Sequence, residues 1–415
     1  MDERPSRKTL LSNTLYVFGG SAGTAISQAL AGILLLAFLS KYHYGVLTSA
    51  VAWIDPLRRL AVFGLDVIGL RRASAEPERA DEVVSTLLVL RTVLGAACFV
   101  GVALFAHLSP FETAGGPWAL VAAAVVLLPT AVSTSLQVGF QARHQNRRLV
   151  LVPLASGLAQ MGVLGILYAV DAHVLWYVAA ISTTELVNAA LIALATKRGG
   201  ARVWRGFDPA LARSMLREAS PIAYSYLVVM LYKRLGFYGV EATHGVEAVG
   251  ALGAAVQLSA PAVGLGGALS VSMGAYAASL ASRRDFAELR SAAMKTVGKV
   301  LSVLVPLTLL VALAASPIAA RWAPEYVDAA RAFAWMSTAG IWMFVARTTT
   351  SLLVALGRAR VMSFLVTFDL LLFAALAWWW IPLYGAEGAA MATFAMELVN
   401  ASIQCMLVWR FTREP

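Results

Sequence analysis

The stretch Glu185-Leu186-Val187-Asn188-Ala189 returns letter for letter as Glu397-Leu398-Val399-Asn400-Ala401, 212 residues further along a chain of 415. Each copy sets an acid inside an apolar run. If 212 is a true period, other features recur at it, and they do: Arg71-Arg72 returns as Arg283-Arg284, and Arg148 as Arg360. Upstream, "YGVLTSAV" at 44–51 resembles "VGALGAAV" at 249–256, an offset of 205. The second copy then holds about two extra helical turns, at 3.6 residues per turn. The chain reads as two repeats.

Composition says what the repeats are made of. Hydrophobic residues are 59% of the chain and charged residues 13%, against about 25% charged in soluble domains. Apolar runs near the length needed to cross a bilayer recur throughout. In lipid their backbone groups must be satisfied internally, so they are helices. Twelve spans are expected, at 10–39, 45–70, 83–106, 117–140, 149–170, 173–195, 218–240, 246–280, 287–314, 328–356, 360–382 and 386–409, with a kink at Pro261. The fold class is an all-α polytopic membrane protein. Its two six-helix lobes, 1–196 and 218–415, are joined by a basic linker, 197–217. Six is even, so the lobes share one orientation, as parallel repeats about an axis along the membrane normal.

The net charge of +10 is mostly a topology signal. Twenty-four basic residues fall in one alternating set of loops and three (Lys41, Arg321, Arg331) in the other. The positive-inside rule puts the first set, and both termini, in the cytoplasm. The same charges favour anionic lipid headgroups, and nucleic acid is not an expected partner. Two scattered cysteines and five isolated histidines offer neither a disulfide framework nor a metal site. There is no P-loop for ATP. No cofactor, metal or catalytic residue is expected.

The remaining six basic residues lie inside spans: Arg58, Arg59, Arg91, Lys233, Arg234 and Arg347. Left in lipid they would cost on the order of 15–20 kcal/mol together. Asp55 is three and four residues from Arg58 and Arg59 and can neutralise one of them. A wet, cationic cavity between the halves is the expected solution, with all six as anion ligands, because guanidinium matches phosphate oxygens in a two-bond fork. Asp55, Glu185, Asp369 and Glu397 are candidates for ion coupling, although an interhelix hydrogen bond or ion pair with a neighbouring span is the plainer role for the two glutamates. The first span carries a small or polar stripe, Asn13, Gly20, Ser21, Thr24, Ser27 and Gln28, which suits close helix packing.

These residues resemble a family. "YHYGVLTSAVAWIDPLRRLAVFGLDVIGLRR" is similar to the first-hairpin signature of the polysaccharide-transport flippases, carried by Gly45, Gly64, Leu65 and Arg71. "VEAVGALGAAVQL", "APEYVDAARAF" and "IPLYGAEGAAMAT" resemble its later motifs in order and spacing. The resemblance implies membership of the multidrug/oligosaccharidyl-lipid/polysaccharide (MOP) exporter superfamily. It implies a twelve-helix, two-lobed transporter, not an enzyme. The implied activity flips an undecaprenyl-pyrophosphate-linked oligosaccharide (an O-antigen, capsule or exopolysaccharide unit) between leaflets of a bacterial cytoplasmic membrane. It further implies a monomer, with polysaccharide polymerase and assembly proteins as partners. The family often follows the seventh-span Arg with a polar or acidic residue; here "KRLGFYG" has Leu235 and Gly236, so no ion site is carried over. The rival reading is a drug or small-cation antiporter of the same superfamily, which would need a lumen dominated by acids.

Overall fold

A computed structural model describes Gly23 and residues 27–108, 115–143, 145–198, 206–282, 285–322 and 324–412; the side chains of 261–276 and some others are left aside. Among the described residues every regular element is an α-helix or a short 3-10 helix, and there is no strand. Among the described residues five segments are long and apolar enough to cross a membrane: Ala80–Leu108, Gly116–Ala142, Val152–Ala169, Val174–Arg198 and Val361–Phe411. The chain divides into two compact units, 1–38 with 46–230, and 39–45 with 231–415.

The first unit holds α1 (Ser27–Phe38), most of α2 (Lys41–Val62), α3 (Leu65–Ala75), α4 (Ala80–Leu108), α5 (Gly116–Ala124), α6 (Leu127–Ala142), α7 (Val152–Ala169), α8 (Val174–Ala180) and α9 (Ser182–Arg198). The second expected span is two helices. Phe63 (φ 52°) and Gly64 (φ 66°) both take left-handed backbone, which interrupts the hydrogen-bond ladder. The apolar faces of α3, α4, α6 and α9 then close on a core of Leu65, Val84, Leu87, Leu136, Phe140 and Met215. Of the stripe on the first span, Asn13, Gly20, Ser21 and Thr24 lie outside the described residues. Ser27 is buried, and a methyl group on Gly157 of α7 would lie 2.3 Å from its side chain. That contact is small-residue packing.

Asp208 caps the next helix, α10 (Pro209–Ser282): its Oδ1 accepts from the Ala210 and Leu211 amides at 2.8 and 3.2 Å. The later part of the expected linker, 209–217, is therefore helical. Glu218 in the same helix accepts from Arg72 at 3.0 and 3.2 Å and pairs with Arg71. Arg143 reaches Asp81 at 2.5 Å. The repeat partners Arg283 and Arg284 lie outside the described residues, as does the Pro261 side chain.

The second unit contains the rest of α10, α11 (Phe286–Trp322), α12 (Val327–Ala355) and α13 (Ala359–Phe411). Two of these are really pairs. α10 leaves helical geometry at Gly245 (φ 78°, ψ −176°) and α13 at Gly385 (φ 56°, ψ −126°), both in gaps expected between spans. The turn at Gly385 reverses the chain. A methyl group on Gly388 would sit 2.2 Å from the Trp380 carbonyl oxygen, whereas residues eight apart in a straight helix are about 12 Å apart.

The segment 39–45, at the start of α2, belongs to this unit. It is held by four contacts. A methyl group on Gly45 would meet the Val246 carbonyl oxygen at 2.1 Å, and one on Gly250 would meet that of Lys41 at 2.3 Å. Lys41 Nζ pairs with Asp328 at 3.2 Å, and Tyr326 donates its hydroxyl to the Leu39 carbonyl at 3.5 Å.

Candidate functional site

The candidate ligands fall into both units. In the first, Asp55, Arg58 and Arg59 stand half-buried on α2. Arg59 and Asp66 share an electrostatic neighbourhood with Tyr226. Arg91 differs from them. It is fully buried, with Nη1 donating to Thr134 Oγ1 at 3.2 Å and Thr134 donating in turn to the Thr130 carbonyl at 2.6 Å. Its Nε and Nη2 have no hydrogen-bond partner among the described residues, and neither does Oδ1 of Asp66. Asp66 is the acid whose charge Arg91 feels. The Arg91 guanidinium is thus held inside the helix bundle, away from solvent.

In the second unit, α10, α12 and α13 bring a set of charges together. Glu397 and Asp369 are buried at 5% and 3% exposure and feel one another. Lys233 and Arg347 both act electrostatically on Glu397. Tyr232, buried at 8%, neighbours Glu397, Asp369 and Arg347. Thus four residues from the expected site, Lys233, Arg347, Asp369 and Glu397, converge although they are spread over 165 positions of sequence. Arg234 points elsewhere, over the ring of Phe237 at 5.3 Å, a cation–π contact on its own helix. Oδ1 of Asp369 has no hydrogen-bond partner among the described residues. Such a bare buried carboxylate oxygen is costly unless charge or solvent compensates it.

The two copies of the opening motif can now be compared. Glu185 accepts from Ser133 Oγ at 2.8 Å, an interhelix brace between α6 and α9. Glu397 sits instead among the charges just described. Asn400 accepts from Gln404 Nε2 at 2.8 Å, and Gln404 Oε1 accepts from Thr349 and Thr350, each at 2.9 Å. At the position equivalent to Gln404 the first copy has Ile192, buried in the core. Oδ1 of Asn188 consequently has no partner among the described residues. Neither Tyr232 nor Gln404 was a candidate from sequence. Tyr232 adjoins the Lys233-Arg234 pair, and Gln404 lies one turn past the repeated letters; those are the only signals either gave.

A second feature of this unit is a cleft of about 320 Å³ bordered by Lys41, His244, Glu247, Asp328, Arg331 and Glu387. Its charges are largely mutual. Lys41 pairs with Asp328, and Arg331 lies 3.7 Å from Glu387, which also accepts from Trp335 Nε1 at 3.3 Å. No group of His, Cys, Asp and Glu suited to a metal ion occurs among the described residues.

The profile of a family described as polysaccharide biosynthesis protein matches residues 10–273. No curated protein matches the chain. Solved structures do. The lipid II flippase MurJ in an inward closed conformation aligns over 95% of this chain and 87% of that one, at 13% identity and a TM-score of 0.77. An inward-facing multidrug resistance MATE family transporter of the MOP superfamily aligns over 97% and 96%, at 16% identity and a TM-score of 0.69. A MOP superfamily transporter from Pyrococcus furiosus, described as having a binding pocket of reverse polarity, aligns over 99% of both chains at 13% identity and a TM-score of 0.64. At such identities the likeness is one of fold.

Proposed function

Because the chain belongs to the polysaccharide biosynthesis protein family and has the fold of MOP superfamily transporters, we propose that it is a flippase, not an enzyme. Its proposed cargo is an undecaprenyl-pyrophosphate-linked oligosaccharide, moved from the inner to the outer leaflet of a bacterial cytoplasmic membrane by alternating access of two six-helix lobes. The observation that carries the reading is the convergence of Lys233 and Arg347 on the buried Glu397. It supports a polar interior in which basic side chains gather about a buried acid. The headgroup of such a cargo carries phosphate, and Arg58, Arg59, Arg347, Lys233 and Arg234 are its proposed ligands. Arg91 is left out of that set, since its guanidinium is enclosed by its own helices. Glu397 and Asp369 are the proposed coupling groups. Glu185, engaged with Ser133, is assigned the bracing role.

The test replaces Arg58, Arg59 and Arg347 singly by Gln and follows arrival of lipid-linked glycan at the outer leaflet. Loss in at least one variant, with expression intact, supports the assignment; wild-type rates in all three overturn it.

A second reading, an antiporter of organic cations, draws on the two buried acids Asp369 and Glu397. It predicts that reconstituted protein moves cations and ignores lipid pyrophosphate. The intramembrane basic residues weigh against it, because they repel such a cargo.

A further inference from the structure

α7 and α9 of the first unit lie side by side, with the start of α7 beside the end of α9. Between them runs a groove of about 570 Å³ lined by Leu151, Ala155, Leu191, Leu194, Ala195 and, at one mouth, Arg198. Leu151 is 71% exposed and Leu194 44%, so the groove opens on the surface. On a membrane-spanning helix pair that surface meets lipid, and an apolar groove there is filled by an acyl chain without selectivity. Arg198 changes this. It ends α9 next to Lys197, and Arg147, in the 3-10 helix just before α7, shares the same end. All three are exposed. Among the described residues Lys197 and Arg198 have no carboxylate partner, while Arg72 and Arg143 elsewhere in the same unit do. An apolar slot closed by an unneutralised guanidinium complements a molecule with a long apolar chain and a phosphate at its head. Basic pockets between membrane helices on the cytoplasmic side hold anionic headgroups in this way.

We propose that the α7–α9 groove is a binding site for one anionic glycerophospholipid of the leaflet at the Arg198 end. An acyl chain lies along Leu151, Ala155 and Leu194, and the phosphodiester accepts from the guanidinium of Arg198. The basic-loop pattern makes that leaflet the cytoplasmic one. The site is separate from the transport ligands, and its occupancy is read without transport.

The experiment titrates the full chain in detergent with phosphatidylglycerol or phosphatidylcholine and counts bound lipid by native mass spectrometry. Wild type retains phosphatidylglycerol in preference to phosphatidylcholine. Arg198→Gln weakens phosphatidylglycerol about fivefold, the effect of one basic residue near an anionic headgroup, and leaves phosphatidylcholine unchanged. Ala195→Phe, which fills the groove, lowers retention of both lipids; if it does not fold, Leu194→Trp, at an exposed position, serves instead. Arg213→Gln, on an exposed residue of α10, behaves as wild type. The proposal is overturned if Arg198→Gln retains phosphatidylglycerol as wild type does, or if Arg213→Gln lowers it equally. It is also overturned if the groove-filling variant binds both lipids normally. Undecaprenyl phosphate displacing phosphatidylglycerol at lower concentration than phosphatidylglycerol itself requires would likewise overturn it, by making the groove a cargo site.

Discussion

Gly45 and Gly250 each pack on the backbone four residues before the other: Gly45 on the carbonyl of Val246, Gly250 on that of Lys41. Such reciprocity, in which i meets j−4 and j meets i−4, is what a local two-fold axis produces. The two glycines are also equivalent in the repeat, at its offset of 205. A side chain has no room at either place, because the obstacle is main chain rather than a rotatable group.

Gly45→Ala and Gly250→Ala should therefore each destabilise the protein by about 1–3 kcal/mol, the usual cost of overpacking. Gly101, with nothing within 4 Å of its absent Cβ, is the control. There Ala should be neutral or should stabilise by up to about 1 kcal/mol, since the glycine is inside a helix. Thermal unfolding of the solubilised variants decides the matter.

The two motif acids should respond differently to neutralisation. Glu185→Gln keeps an oxygen for Ser133 and should leave stability and transport near wild type. Glu397→Gln removes the buried acid beside Lys233 and Arg347 and should destabilise the protein, by up to about 3–5 kcal/mol where a buried charge is left uncompensated. Lys233→Gln in the same chain should restore part of that loss. A double-mutant cycle with no coupling between Lys233 and Glu397 would contradict the assignment.

Gln404→Leu should cost about 1–3 kcal/mol, the penalty of leaving buried hydroxyl and amide groups unpaired. Thr350 and Asn400 lose their Gln404 partner at once, while Thr349 keeps the Val345 and Ala346 carbonyls. The unfolding midpoint of this variant, set beside that of Thr350→Val alone, separates loss of the network from loss of one bond.

Alkaline pH should act through Tyr326. Burial, then the neighbouring Glu325, push its hydroxyl from 10.0 up to about 12. A raised folded-state pKa means that the neutral form is favoured on folding. That stability is complete below pH 10 and is lost as pH rises through about 12. Tyr326→Phe, which also gives up the bond to Leu39, should be less stable at neutral pH and flatter across this window. Melting temperatures at pH 9 and above check both parts.

How much of this was legible beforehand depends on range. The repeated letters and the gaps near 245 and 385 carried the helical architecture, because hydropathy and turn chemistry are local. The break at Phe63–Gly64 was not foreseen, since an apolar run carries no mark of a left-handed residue beyond a glycine. Arg91 looked like the other intramembrane arginines; what sets it apart is enclosure by α4 and α6, a property of packing and not of the neighbouring letters. The pairing of Arg72 with Glu218 spans 146 positions, and no periodicity encodes it. Gln404 escaped notice for a different reason: it is where the two copies differ, and a search for likeness passes over it.

That difference has a mechanical consequence. Gln404 laces the end of α13 to α12 through two side-chain bonds and ties back to Asn400 on its own helix through a third, while Ile192 offers α9 only apolar contact and leaves the oxygen of Asn188 without a partner among the described residues. The same five letters thus close a knot in one half and leave slack in the other. Amide exchange along 185–198 should outpace that along 397–410, so the duplicated halves are twins in outline and unequal in stiffness.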